Sequence, residues 1–92
     1  MAIVRINARV EGRVQGVFFR DCTRQEAERH CLHGWVRNQA DGSVETEFQG
    51  EEAEVAAMVQ WLHQGSPLSR VSRVVTKSCP GLATESGFRV KY

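Results

Sequence analysis

A turn signal near the middle of the chain constrains its fold more than any other feature. Asp41-Gly42 separates two strand-like runs, residues 35–39 and 43–49. An Asp-Gly pair favours the left-handed backbone conformations that a tight turn between antiparallel strands requires. We therefore predict an antiparallel hairpin at the centre of the chain, with the other elements arranged around it.

One strand and one helix are predicted before this hairpin. Residues 4–10 alternate apolar and polar side chains, which is typical of a strand with one buried face. Residues 21–33 are rich in Glu, Arg, Gln and Ala and contain neither Gly nor Pro, so they predict a helix that ends at Gly34. Its apolar stripe is narrow, with Thr23, Ala27 and Cys31 spaced by four.

A second helix and two more strands are predicted after the hairpin. We expect Gly50 to break the hairpin strand, and Gly65 and Pro67 to end the helix. The intervening apolar side chains recur at i, i+3, i+4 and i+7, as a helix face requires; they are Val55, Met58, Val59 and Leu62. Residues 71–77 and 88–92 predict further strands.

The order is therefore strand, helix, strand, strand, helix, strand, with a short strand appended. This order predicts an α+β sandwich of the ferredoxin-like βαββαβ type, with an antiparallel sheet, two helices on one face and a short extra C-terminal strand. The side of the hairpin strand away from the helices carries Ser43, Glu45, Glu47 and Gln49. We interpret them as a solvated face.

Composition narrows the classes of function. A chain of 92 residues predicts a single domain over residues 1–92, and a net charge of +1 lacks the basic excess of a nucleic-acid binder. No signal peptide or membrane-spanning run is recognisable. We expect a monomeric cytoplasmic protein that acts on a small molecule and contacts neither nucleic acid nor membrane.

Cysteine and histidine patterns indicate no metal site. Cys22, Cys31 and Cys79 are odd in number and lack a short paired spacing, so we expect reduced thiols. The three histidines, His30, His33 and His63, likewise lack the spacing of a ligand set.

The segment between the first strand and the first helix has the chemistry of an anion site. Gly12 and Gly16 bracket it, Arg20 follows, and no acidic residue lies between Gly12 and Arg20. Glycines allow backbone N–H groups to converge, a helix N-terminus adds partial positive charge, and a guanidinium offers a planar pair of donors. A plain connecting loop is the alternative interpretation of this stretch on its own.

Two stretches of the sequence resemble the signatures of acylphosphatases: residues 10–20, which read VEGRVQGVFFR, and residues 34–44, which read GWVRNQADGSV and continue to Gly50. The resemblance implies metal-free and cofactor-free hydrolysis of small acyl phosphates. It further implies that Arg20 binds the phosphoryl group and that Asn38 positions the attacking water. The phosphate-binding loop would consist of Arg13, Val14, Gln15, Gly16 and Val17, with Gly12 in support.

Residue chemistry agrees with these implied roles. Arginine and a ring of N–H donors can neutralise a phosphoryl group without a metal, and a neutral asparagine can hold water beside an anion. Thr23 is expected to brace Asn38 or the loop. No general base is apparent, so we expect an oxygen of the substrate to accept the proton of the water.

The sequence also leaves alternatives and one departure from the family. Arg20 could pair with surface carboxylates, and Asn38 could serve only the hairpin. An RNA-recognition module is disfavoured by Glu45 and Glu47, and a noncatalytic or carbamoyl-phosphate-handling relative is a further alternative. The family often has Leu-Gly-Leu where this chain has His30-Cys31-Leu32, which places a side chain where backbones could lie close.

Overall fold

The computed structural model describes residues 2–83 and 85–92, which form two helices and five strands in the predicted order. The strands are β1 (Ile3–Arg13), β2 (His33–Asn38), β3 (Val44–Glu51), β4 (Arg70–Cys79) and β5 (Phe88–Lys91). The helices are α1 (Phe19–Arg29) and α2 (Glu52–Gln64).

The strands form one sheet in the order β4-β1-β3-β2-β5. β1 is antiparallel to both β3 and β4, and β2 is antiparallel to β3. β5 runs parallel to β2 at the sheet edge, which makes the complete five-stranded sheet mixed. The predicted ferredoxin-like α+β class is confirmed, including the predicted hairpin, which is formed by β2 and β3.

A single apolar core lies between the helices and one face of the sheet. Alternate residues of the strands point into it, and each helix contributes one stripe, as the two periodicities dictate. Its completely buried members include Ala8, Val10, Val36, Val44, Phe48, Ala27, Met58 and Leu62. Burying a large apolar side chain contributes about 1.5–3 kcal/mol, so these positions dominate the stability of the fold.

The end of α1 differs from the prediction. The helix ends at Arg29, and Cys31 adopts a left-handed conformation with φ 57°. The Leu32 N–H donates to the Ala27 carbonyl and closes the helix. Cys31 is exposed, so the missing family glycine affects the backbone conformation there and not the packing of a side chain.

Two glycines predicted to interrupt elements lie inside strands instead. Gly34 belongs to β2, where an added Cβ would lie 1.9 Å from the Glu47 carbonyl oxygen, so strand pairing itself excludes a side chain. Gly50 belongs to β3, where an added Cβ would lie 2.5 Å from the side chain of Leu32. Both glycines permit close packing and do not stop an element.

The prediction of a solvated outer face is wrong for Ser43 and Gln49, which are buried, while Glu45 and Glu47 are half-buried. Arg5 is 2% exposed and Gln49 is 8% exposed, although both point away from the helices. The segment between β4 and β5 covers them: Gln49 exchanges hydrogen bonds of 2.7 and 2.8 Å with the backbone of Leu82, and Glu85 accepts from Arg5 at 2.8 Å. A connection folded over the sheet converts a polar face into a buried network.

Candidate active site

The loop between β1 and α1 begins the site. Gly16 and Phe18 both have left-handed backbones, with φ 74° and 59°. This sharp turn delivers the chain into α1, whose N-terminus has no side-chain cap. The first N–H groups of an α-helix lack partners within the helix, so an uncapped N-terminus is suited to an anion.

A cavity of about 280 Å³ lies at this turn. Its lining brings together residues from the loop, the first turn of α1, the end of β2 and the C-terminus: Val14, Gly16, Phe18, Phe19, Arg20, Asp21, Asn38 and Tyr92. Arg20 and Asn38, which are 18 positions apart in the sequence, therefore share one cavity. The two motifs converge because α1 packs against β2.

Asn38 lines this cavity and carries a buried acceptor. It is the last residue of β2 and lies on the same face as Val36, so its side chain points toward the helix side of the sheet. Its Oδ1 atom is buried and has no hydrogen-bond partner among residues 2–83 and 85–92. Such an atom is costly to bury unless it meets a donor, which makes it the feature most in need of an explanation.

Arg20 is held by the C-terminal residues. Its Nη1 donates to the Lys91 carbonyl at 3.1 Å, and its guanidinium carbon lies 4.5 Å from the centre of the Tyr92 ring. In the described part of the chain, no carboxylate forms an ion pair with Arg20. Its charge therefore remains available to an anion in the cavity.

Sequence reasoning missed Lys91, Tyr92 and Phe18 as parts of this site. The aromatic C-terminal strand was apparent, but its parallel pairing with β2, which brings Tyr92 to Arg20, was not. The left-handed backbone of Phe18 has no sequence signal, because such a conformation is uncommon for a bulky residue.

The predicted loop residues have different surroundings. Gly16 and Val14 line the cavity. Gln15 turns toward the hairpin, where its Nε2 donates to the carbonyls of Gln39 at 2.7 Å and Ser43 at 2.9 Å. These two bonds fix the loop to the β2–β3 connection, which follows directly after Asn38.

The remaining predicted residues lie outside the cavity lining. Arg13 is exposed at the end of β1, and Val17 is buried, with its carbonyl accepting from Ser66 Oγ at 2.8 Å. Gly12 lies against β4, where an added Cβ would be 2.1 Å from the Arg70 carbonyl oxygen. Gly12 therefore supports the approach of β1 to β4 and has no contact role in the cavity.

Thr23 braces the first turn of α1. It is completely buried, and its Oγ1 donates to the Phe19 carbonyl at 2.7 Å. This bond ties the hydroxyl to the residue that follows the loop, and no bond between Thr23 and Asn38 occurs among the described residues.

Cys22 faces away from the site. It lines a separate cavity of about 590 Å³ that also includes Trp61 and Ser66. Burial, together with the nearby Asp21 carboxylate, raises the pKa of the Cys22 thiol. Oxidation of this thiol would therefore occur outside the cavity that Arg20 and Asn38 line, and the raised pKa disfavours the reactive thiolate.

Among residues 2–83 and 85–92, no group of three or more His, Cys, Asp or Glu side chains is arranged to hold a metal ion. Neither helix is long and apolar enough to cross a membrane.

Known proteins match this chain over nearly its whole length. The Acylphosphatase family model matches residues 6–90. An acylphosphatase of Pseudomonas paraeruginosa is 48% identical over 99% of this chain and 99% of that relative, and one of Rubrobacter xylanophilus is 48% identical over 95% and 79%. The crystal structure of acylphosphatase from Bacillus subtilis has a TM-score of 0.93 and 35% identity, covering 97% of this chain and 99% of that chain. With a match of this extent in both sequence and fold, the chain belongs to the acylphosphatase family.

Proposed function

We propose that this chain hydrolyses the carboxyl–phosphate bond of small acyl phosphates, releasing a carboxylate and inorganic phosphate, by in-line attack of water and without a metal. The buried Oδ1 of Asn38 carries this proposal, because it is an acceptor without a partner among the described residues and belongs to a side chain that lines the same cavity as Arg20. Family membership supports the reaction class.

Arg20 binds the phosphoryl group in this proposal. Its guanidinium has a carbonyl and an aromatic ring as neighbours, so two or more of its donors can face phosphate oxygens. The uncapped N-terminus of α1 adds partial positive charge on the same side. These groups supply the charge stabilisation that a loose phosphoryl-transfer transition state requires, which is why we propose no metal.

The loop contributes through its backbone N–H groups. The side chains of Gln15 and Val17 are committed to the hairpin and to the core, so they hold the loop in shape and do not contact phosphate. Gly16 allows close approach, because nothing lies within 4 Å of the position that its Cβ would occupy. Arg13 assists only by steering anions from the rim.

Asn38 positions the water. Its Oδ1 accepts a hydrogen bond from the water and directs a lone pair of the water oxygen toward phosphorus. As the new P–O bond forms, the bond from phosphorus to the acyl oxygen breaks, and the carboxylate leaves with the electron pair. A phosphate oxygen of the substrate takes the proton, since Asp21, the only side-chain carboxylate among the described residues that line the cavity, is paired with Arg24 at 2.9 Å and bonded to Gln25 at 3.2 Å.

We further propose that residues 1–92 act as one domain and as a monomer in the cytoplasm, on a small molecule and not on nucleic acid. The net charge of +1 supports the last point, and so does the acidic outer face, where Glu45 and Glu47 stand on the central strand β3.

The test is phosphate release from acetyl phosphate and benzoyl phosphate by the purified chain in the presence of a chelator. We expect hydrolysis of both that is unchanged by the chelator. Absence of turnover would refute the proposed reaction. Turnover that requires an added divalent metal would refute the metal-free mechanism and leave the substrate class standing.

A further inference from the structure

Two exposed aromatic side chains border the phosphate cavity. Phe18 is 75% exposed, Tyr92 is completely exposed, and both line the cavity with Arg20 and Asn38. A lone exposed aromatic residue is ordinary on a protein surface. Two that border the same polar cavity, beside the group that would bind phosphate, require a reason of their own.

Packing within the fold does not explain why a phenylalanine occupies position 18. Its backbone is left-handed, at φ 59° and ψ 25°, a conformation that bulky residues avoid. The ring lies outside the core, and its side chain makes no capping bond to α1. A strained residue with an exposed apolar side chain at a cavity mouth points to a function in ligand contact.

One face of the Tyr92 ring contacts Arg20. The guanidinium of Arg20 stacks on it at 4.5 Å, while the side chain as a whole stays exposed. The ring therefore positions Arg20 and still offers apolar surface at the cavity mouth. Val14 and Phe19 add buried apolar atoms to the same lining.

The chemistry of the substrate decides what these rings can contact. Arg20, Asn38 and the loop hold the phosphoryl end, so the acyl end must extend toward the mouth of the cavity, where Phe18 and Tyr92 stand. We propose that Phe18 and Tyr92 form a subsite for the acyl end, which favours acyl phosphates with an aromatic or bulky apolar acyl group over acetyl phosphate. This inference rests on the proposed function.

The experiment compares kcat/KM for benzoyl phosphate with kcat/KM for acetyl phosphate. The ratio of the two values in each variant, divided by the wild-type ratio, cancels the different intrinsic reactivities of the substrates. Phe18→Asn removes the ring with a residue that tolerates the left-handed conformation, and Phe18→Tyr keeps a ring there. Leu68→Ala is the matched control, since Leu68 is 69% exposed and lies outside the cavity lining.

We expect Phe18→Asn to lower the ratio by about 2- to 10-fold, the range for one aromatic pair. Phe18→Tyr and Leu68→Ala should keep the wild-type ratio. Equal losses for both substrates in Phe18→Asn would overturn the subsite, because the ring would then serve the loop and not the acyl group. Wild-type values of kcat/KM for both substrates in Phe18→Asn would overturn the subsite as well. Failure of the wild-type chain to hydrolyse either substrate would instead refute the proposed function.

Discussion

Two arginines of this chain have opposite surroundings. Arg5 is buried on the outer face of the sheet, where it donates to Glu47 at 2.7 Å, to Glu85 at 2.8 Å and to Gln49 at 3.0 Å. Arg20 lines the cavity at the β1–α1 loop, with the Lys91 carbonyl and the Tyr92 ring as its described partners. The charge of Arg5 is compensated within the fold, whereas the charge of Arg20 is left for an anion.

The same contrast extends to the neutral side chains beside them. Asn7, near Arg5, donates to Glu45 and Glu47, each at 2.9 Å. Asn38, near Arg20, keeps a buried acceptor that has no partner in the described part of the chain. A polar cluster that satisfies itself stabilises structure, and one that does not is prepared for a ligand. The predictions below test this division, beginning with the largest expected effect.

Arg20→Met should lower kcat/KM for acetyl phosphate by about 10³-fold or more, the lower range for losing an arginine that stabilises phosphoryl transfer. The free energy of unfolding should change little, because Arg20 makes one bond to a carbonyl and one ring contact. Arg20→Lys is the control that keeps the charge without the planar pair of donors. Its kcat/KM should lie between that of the wild type and that of Arg20→Met. Phosphate release and urea unfolding measure both quantities; a rate near the wild-type value would remove Arg20 from the mechanism.

Asn38→Ala should lower kcat by about 10²–10³-fold, equivalent to roughly 2.7–4 kcal/mol, because it removes the group that orients the water. Inhibition by inorganic phosphate should persist, since Arg20 and the loop remain. The free energy of unfolding of Asn38→Ala should stay the same or rise, because the lost Oδ1 has no partner among the described residues. Asn38→Asp keeps the shape of the side chain but adds a negative charge, so its KM should rise. Retention of full turnover in Asn38→Ala would contradict the role of Asn38 in orienting the water.

Arg5→Met should reduce the free energy of unfolding by about 3 kcal/mol, because it removes the buried guanidinium that pairs with the half-buried carboxylates of Glu47 and Glu85. Its effect on kcat/KM should be far smaller than that of Arg20→Met, measured at a temperature where both variants are folded. Adding Glu85→Gln to Arg5→Met should recover part of the loss, since one unpaired charge is then removed. Urea unfolding gives the comparison, and a stability equal to that of the wild type would show that the network contributes nothing.

The different surroundings of Arg5 and Arg20 could not be predicted from the sequence. Local signals were sufficient for the hairpin, both helices and the ferredoxin-like order, because a turn pair, helix-forming composition and apolar periodicity each depend on neighbouring residues. Arg5, however, alternates with apolar residues as an exposed strand residue would, and its partners Glu47 and Glu85 lie 42 and 80 positions away. Burial of that face depends on where the β4–β5 connection runs, which no local pattern encodes.

The candidate site was predictable in a different way. The resemblance of two motifs named Arg20 and Asn38, and the fold then brought both to one cavity. The contact of Arg20 with Lys91 and Tyr92 was not foreseen, because a four-residue strand carries too few residues to indicate its pairing partner. The backbone of Phe18 was not foreseen either, since its left-handed conformation runs against the preference of the residue.

The paired carboxylates should make the outer face sensitive to acid. Burial raises the pKa of Glu47, but hydrogen bonds from Asn7 and Arg5 outweigh it and hold that pKa below its ordinary value. A lowered pKa contributes stability above the pKa of the unfolded chain, about 4.3, and that stability is lost as pH falls through the folded value. Glu47→Gln should therefore be less stable at neutral pH, but its free energy of unfolding should fall less steeply than that of the wild type below pH about 4.3. Urea unfolding across this range tests it, and parallel pH profiles would contradict the assignment.

The smallest expected effect separates backbone strain from ligand contact at the cavity mouth. Phe18→Gly and Phe18→Ala both remove the exposed ring, but only glycine adopts φ 59° without strain. The strain of about 1–2 kcal/mol, less the greater flexibility of unfolded glycine, should make Phe18→Gly about 0.5–1 kcal/mol more stable than Phe18→Ala. Both variants should nevertheless lose the preference for benzoyl phosphate to the same extent, because that preference depends on the ring. If the preference instead followed stability, with Phe18→Gly keeping it and Phe18→Ala losing it, then the shape of the loop and not the aromatic surface would determine which acyl group is accepted.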